Sequence, residues 1–316
     1  MMILSDPGHA AAWRGPTQGS RSVPEGSKKH GCNNITNERH KGIMKLSFAT
    51  LGCPGWSIEQ VAANAKTMGF DGVELRGAKG EHIGPDETPE ERKRIRKLFK
   101  DQGVAIAAIM GYSTFTMDDP AKREESIRTA IQFLETARDV GCPVLRIFGG
   151  MHSKELDHEG NIKRVAEGIR RVADHAERLG VKLALETHDA WCIGENLSAV
   201  LNRVGSPALG ICWDVGNSYF DEPLEDTYAS IRGHIVHVHF KDAARGADGK
   251  VEPRLPGQGE VLMRKAFELL SSGGYDQYLS FEWEKKWLPN LAEPEVAFPH
   301  YVRVVKGLLK ADHHQK

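Results

Sequence analysis

Neither sign of charge is in excess in this sequence. In 316 residues, 42 Lys and Arg stand against 43 Asp and Glu, for a formal net charge of −1. A chain so balanced has no electrostatic reason to seek nucleic acid or an anionic membrane surface. No apolar run approaches the roughly 20 residues that cross a bilayer as a helix. Cysteine is scarce: Cys32, Cys53, Cys142, Cys192 and Cys212 are five in number, with no CxxC pair. An odd, scattered set reads as reduced thiols and places the protein in the cytoplasm. A glycine-rich dinucleotide turn is also missing. The turn after the first strand pattern is Gly52-Cys53-Pro54-Gly55, not GxGxxG.

What is present is ordinary for a globular enzyme-sized chain, 40% hydrophobic and 27% charged. Residues 1–43 are set apart by Gly, Pro, Ser, Arg and His without periodicity, and they contain no apolar h-region of a secretory signal. They read as a disordered extension or as a start placed too early, with Met44 the natural first residue. The domain is then 44–316, which is 273 residues.

From Met44 the pattern alternates strand and helix. Strands are expected at 45–50, 72–76, 104–110 and 144–148. Helices are expected between them at 57–68, 89–102, 121–140 and 161–179. Ser57 with Gln60 three residues on makes a capping box, and Gly69, Gly103, Gly141 and Gly180 stop the four helices. Four more strand patterns follow at 181–188, 209–214, 235–242 and 278–284, with helices at about 198–204, 224–231, 261–271 and 295–310. Strict alternation implies a parallel sheet, and eight units in this length fit a single (β/α)₈ TIM barrel, which takes about 250 residues.

Side-chain parity within the last four strands gives the functional signal. In 181–188, Val181, Leu183 and Leu185 share one side, while Glu186 and His188 end the other. In 209–214, Leu209, Ile211 and Trp213 oppose Gly210, Cys212 and Asp214. In 235–242, Val236, Val238 and Phe240 oppose Ile235, His237 and His239. In 278–284, Leu279, Phe281 and Trp283 oppose Ser280, Glu282 and Glu284. A carboxylate on a buried strand is costly unless paired or metal-bound, and neutral imidazole is the commonest nitrogen ligand of a metal. Glu186 lies 28 residues before Asp214, Asp214 lies 25 before His239, and Glu282 lies 43 further on. One βα unit takes roughly 30 residues, so the four groups meet at the C-terminal ends of neighbouring strands, where barrel active sites lie. The longer last interval holds a Gly- and Pro-rich loop, 243–260.

The segments LALETH, ICWDVGN, HVHFKD and LSFEWE, preceded by GFDGVELRG, resemble the xylose-isomerase-like TIM barrels, the sugar phosphate isomerase/epimerase superfamily. The resemblance runs from about Met44 to the end of the chain. It implies one divalent metal held by Glu186, Asp214, His239 and Glu282, with His239 chosen over His237 because it stands before x-Lys-Asp. Three carboxylates and an imidazole suit Mn²⁺ or Mg²⁺, with Co²⁺ or Zn²⁺ as alternatives. It further implies an isomerase or epimerase of a sugar, sugar phosphate or related hydroxy-ketone, passing through a metal-stabilised enediolate with Glu186 and Glu282 moving the proton. His188, pointing the same way as Glu186, is a candidate for a second acid or base. Arg146, Asn217, Glu74 and His82 are candidate substrate contacts, and His152 and Trp191 candidate pocket lining.

Several readings stay open at this stage. A lyase that dehydrates an inosose or a dehydroshikimate-like acid would use the same metal site. An endonuclease IV-like nuclease is disfavoured, because Asn217 stands where that pattern has His, and Ile109-Met110-Gly111-Tyr112 offers none. Glu74 and Arg76 are either an internal ion pair or substrate contacts. His237 reads as a buried structural residue, and Lys241, Asp242 and Glu284 as solvated loop residues. The partner expected is a small sugar-like or polyol-derived molecule, not nucleic acid or membrane, and the sequence is compatible with a homo-oligomer.

Overall fold

The computed structural model describes residues 43–314, so the reading of an N-terminal extension lies outside the described residues except for Ile43. The strands in chain order are β1 Lys45–Ala49, β2 Gly72–Arg76, β3 Ala105–Met110, β4 Val144–Ile147, β5 Lys182–Glu186, β6 Leu209–Asp214, β7 Ile235–His239, β8 Asp242–Arg245, β9 Val251–Arg254 and β10 Tyr278–Phe281. The helices are α1 Ile58–Met68, α2 Pro89–Gln102, α3 Pro120–Val140, α4 His158–Leu179, α5 Gly194–Val204, α6 Val215–Tyr219, α7 Leu224–Ile231, α8 Met263–Ser272 and α9 Pro294–His314. Eight parallel strands close in the order β1-β10-β7-β6-β5-β4-β3-β2, a TIM barrel. No described helix is long and apolar enough to cross a membrane.

Local chemistry sets the element boundaries. The capping box at Ser57 forms with both of its hydrogen bonds to Gln60, at 3.3 and 2.8 Å. Thr88 and Asp119 cap α2 and α3, each followed by Pro in the first turn. Gly69 closes α1 at φ 82°, a left-handed conformation that a side chain would strain.

The apolar face of each barrel strand packs outward on the helices. The seam where the barrel closes, between β1 and β10, is sealed by aromatics. Phe281 stacks on Tyr301 of α9 at 4.6 Å, and Phe48 meets Phe298 at 4.4 Å. Inside, toward the N-terminal end, lies a layer of small residues: Ala108, Val144, Ala184 and Cys212, with Val236 against them. Val236 corrects the sequence reading. The β6–β7 register slips so that Ile211 pairs with Ile235 but Cys212 pairs with His237. The extra residue turns Val236 inward and leaves Ile235 packed on the outer core. Gly210 makes room for it, since a Cβ there would stand 2.6 Å from Val236 Cγ1.

The loop after β7 is not structureless. β8 and β9 pair as an antiparallel hairpin, Asp242 opposite Arg254 and Arg245 opposite Val251.

Candidate metal centre

Above the small-residue layer the barrel interior turns polar. Glu186 ends β5, Asp214 ends β6, His239 ends β7, and Glu282 stands one residue past β10. One ligand-capable atom from each lies within 4.8 Å of the others, and all four residues are buried. His239 Nδ1 is the hub. It lies 3.1 Å from Glu186 Oε1, 3.5 Å from Asp214 Oδ2 and 3.6 Å from Glu282 Oε1. The sequence therefore brings its four expected groups to one point.

Their environment is strongly cationic for so acidic a cluster. Arg146, 1% exposed, aims Nε at Glu186 Oε2 at 3.1 Å, and its guanidinium lies 3.9 Å from the Phe148 ring centre. Lys241, expected to be solvated, is instead 5% exposed. Its Nζ donates to Glu282 Oε2 at 2.6 Å and Glu284 Oε1 at 2.9 Å, and lies 2.9 Å from Asp214 Oδ2. The signal for this was its parity, shared with His237 and His239: the chain stays extended past the last ladder bond, so position 241 still faces inward. Glu186 Oε2, Asp214 Oδ2, and Arg146 Nε and Nη1 are buried with no hydrogen bond of good geometry.

Charges shift accordingly. Burial alone would raise the carboxyls, but Arg146 and His239 hold Glu186 below its ordinary range, and Lys241 and His239 do the same to Asp214. Glu282 goes the other way. Its burial, helped by Glu186 and Asp214, outweighs Lys241 and His239 and raises its pKa. Burial opposes charge on His239, yet the groups around it, Cys212, Glu74, Glu282 and Glu186, carry its pKa well above the usual value.

The other predicted site residues are placed differently. His188 is at the mouth with its side chain 40% exposed, its ring 4.6 Å from Phe148 and Nδ1 3.1 Å from Asp189 Oδ1. Burial works against its charged form, but Asp189 and Glu186 raise its pKa. Asn217 is a brace. Its backbone N–H donates to Asp214 Oδ1 at 2.8 Å and its Nδ2 to the Thr187 carbonyl at 3.1 Å. His82 bonds the Trp56 carbonyl through Nε2 at 3.0 Å. The Glu74–Arg76 ion pair, one of the two alternatives left open for these residues, does not form. Arg76 pairs with Glu81 and donates to Tyr112 Oη at 3.1 Å, with Trp287 under its guanidinium at 5.0 Å. Glu74 is fully buried beneath His239 and bonds His237 and His239, which removes it from reach of a substrate in the mouth. Asp242, also read as solvated, is 1% exposed.

Residues 62–304 match the family described as xylose isomerase-like TIM barrel. The chain belongs to that family. Among curated members, it is 24% identical over 254 residues to fructoselysine 3-epimerase of Escherichia coli O157:H7, covering 76% of this chain and 90% of that one. It is 23% identical over 308 residues to inosose dehydratase of Serratia proteamaculans, covering 85% and 100%. Among solved structures, the IOLI protein with a binding zinc atom superposes with a TM-score of 0.72 at 17% identity, covering 85% of this chain and 99% of that one. At that identity the last likeness is one of fold.

Proposed function

We propose that the protein is a divalent-metal-dependent isomerase or epimerase of a sugar, a sugar phosphate or a related hydroxy-ketone. The observation that carries the reading is the convergence of three carboxylates and one imidazole nitrogen from four strands on one buried point. The residues fit a metal ion. The donors are hard oxygens plus one nitrogen, and Glu186 Oε2 and Asp214 Oδ2, paired with Arg146 and Lys241 but without a hydrogen bond of good geometry, keep lone pairs for an ion. Glu186, Asp214, His239 and Glu282 would hold the ion, Mn²⁺ or Mg²⁺ first, with Co²⁺ and Zn²⁺ as alternatives. When bound, it supplies Lewis acidity toward a carbonyl and the adjacent hydroxyl. The zinc in the IOLI protein and the epimerase named among the relatives support the same reading.

The chain's own residues then divide the proton work. Glu186, kept ionised beside Arg146, takes the proton alpha to the carbonyl. Glu282, whose carboxyl burial raises above its ordinary range, returns one from the other side of His239. Opposed shifts on two neighbouring carboxyls are the physical basis for an acid and a base in one site. Arg146, braced on Phe148, fixes Glu186, and His188 at the mouth is placed to meet a substrate oxygen.

A second reading, dehydration on the same centre, is favoured by Lys241. Its ammonium, donating to Glu282 at 2.6 Å, adds fixed positive charge beside the centre where a departing hydroxide would gather negative charge, and an inosose dehydratase is among the relatives. One set of measurements separates the two. Chelator should abolish activity on a responsive ketose or cyclic polyol. Glu186→Gln and Glu282→Gln should keep some metal yet lose turnover by about 10²–10⁴. An epimerase incorporates solvent deuterium at the alpha carbon, whereas a dehydratase releases water and builds an ultraviolet-absorbing enone. Near-normal rates in both Gln variants would remove the glutamates from the proton path and leave His188 as the base.

A further inference from the structure

Glu74 has an environment that neither a substrate contact nor a simple ion pair explains. It is 0% exposed. His239 Nε2 lies 3.1 Å from each of its oxygens, which as carboxylate oxygens can only accept. His237 Nε2 lies 3.1 Å from Oε2, and Ser280 Oγ donates to the same oxygen at 2.8 Å. Donors from β7 and β10 thus clamp the carboxylate from β2, so it can neither rotate toward the mouth nor leave the ring of His239. The two imidazoles stand nearly perpendicular, 84° apart with centres at 5.6 Å, so each meets Glu74 from its own side.

We infer that Glu74 is a positioning residue for the metal centre: when an ion displaces the Nδ1 proton that here faces Glu186 Oε1 at 3.1 Å, Glu74 keeps the other proton on Nε2, so that Nδ1 presents its lone pair to the point shared by Glu186, Asp214 and Glu282. The inference rests on the metal-centre reading above. An imidazole has two nitrogens, and the hydrogen bond made by one decides which is free to ligate. The negative charge on Glu74 also makes the opposite nitrogen a stronger donor. His237 and Ser280 hold Glu74 in turn. This gives both residues a role consistent with their burial, and it explains why the strand carries His-x-His with only the second imidazole at the centre.

The test uses the full chain and its Glu74→Gln, Glu74→Ala and Ser280→Ala variants, with melting temperatures to establish that each is folded. Zn²⁺ stoichiometry and affinity are measured against a chromophoric chelator, and the visible spectrum is recorded with Co²⁺. Wild type should bind one ion per chain. Affinity should fall about 10–100-fold in Glu74→Ala, less in Glu74→Gln, whose amide oxygen still accepts the Nε2–H bond, and least in Ser280→Ala. The Co²⁺ bands should shift in both Glu74 variants. Folded variants with wild-type affinity and spectrum would overturn the inference alone. Two ions in wild type and one in Glu74→Ala would make Glu74 a ligand and overturn it as well. No ion on wild type would overturn the metal-centre reading together with it. Should Glu74→Ala not fold, Glu74→Gln decides.

Discussion

Lys241 shows how much one residue changes the electrostatics of the site. Its ammonium faces Asp214, Glu282 and Glu284 within 2.9 Å, with the Asp214 and Glu282 side chains buried beside it. Burial alone would lower its pKa, but the three acids raise it well above the usual value, so the charge is kept. Removing one partner of a buried charge group leaves the others uncompensated, which costs roughly 3–5 kcal/mol. Lys241→Met should therefore lower the melting temperature of the metal-free protein. It should also enlarge the rise in melting temperature on adding Mn²⁺, because the ion then supplies the missing positive charge. Equal rises in variant and wild type would show that Lys241 does not oppose the ion electrostatically.

Among the elements, the β8–β9 hairpin is the one whose anchor can be tested directly. Asp242 Oδ2 accepts from the Gly257 and Gly259 N–H groups at 2.8 and 2.9 Å, and Oδ1 from Ala243 and Val261 at 2.9 and 3.2 Å. One buried carboxylate therefore ties both ends of the long loop to the end of β7, next to His239 and Lys241. Asp242→Ala leaves these backbone donors without partners, and each buried unsatisfied group costs about 1–3 kcal/mol. Some will find water as the loop relaxes, so a loss of about 2–4 kcal/mol in urea unfolding is expected. Hydrogen exchange at 257–261 should speed up at the same time. Unchanged stability and unchanged exchange would mean that the hairpin is held by other contacts.

For the molecule as a whole, the buried polar cluster makes stability depend on pH. Burial raises the Glu74 carboxyl, but His239 and His237 outweigh it and hold the group well below its ordinary range, and Glu186 and Asp214 are also lowered. A depressed carboxyl contributes stability that is present above its unfolded pKa, about 3.9–4.3, and is lost as pH falls through the folded value. His239 is raised, so its contribution is full below about 6.5 and fades as pH climbs through its folded value. Glu282, raised by burial, works against the other carboxyls as a single group. Metal-free protein should thus be most stable between about pH 4.5 and 6.5 and should weaken on further acidification. Glu74→Gln should flatten the acid side of that curve. A wild-type slope in the variant would show that Glu74 is not depressed in the folded state.

The sequence by itself determined the barrel and the polar inward face of its last four strands, and the family resemblance then picked the four central groups from that face. The barrel and the face follow from local rules: period 2 in strands puts Glu186, Asp214, His239 and Glu282 on the face opposite the bulky hydrophobes, and caps such as Ser57 and glycines such as Gly69 mark where helices begin and end. The β8–β9 hairpin was weakly legible, since Asp248-Gly249 is a hairpin turn signal but its flanks lack alternation. Tertiary structure alone decided the rest. The inward turn of Val236 depends on the register that β6 imposes on β7, which no pattern within β7 encodes. The pairing of Glu74 with His237 and His239 rather than Arg76 depends on which strands close opposite one another across the barrel. The burial of Lys241 and Asp242 depends on acids and backbone amides tens of residues away in the chain. A side chain's parity fixes the face it points to; the partners it meets there are fixed by closure of the sheet, which brings together groups remote in sequence.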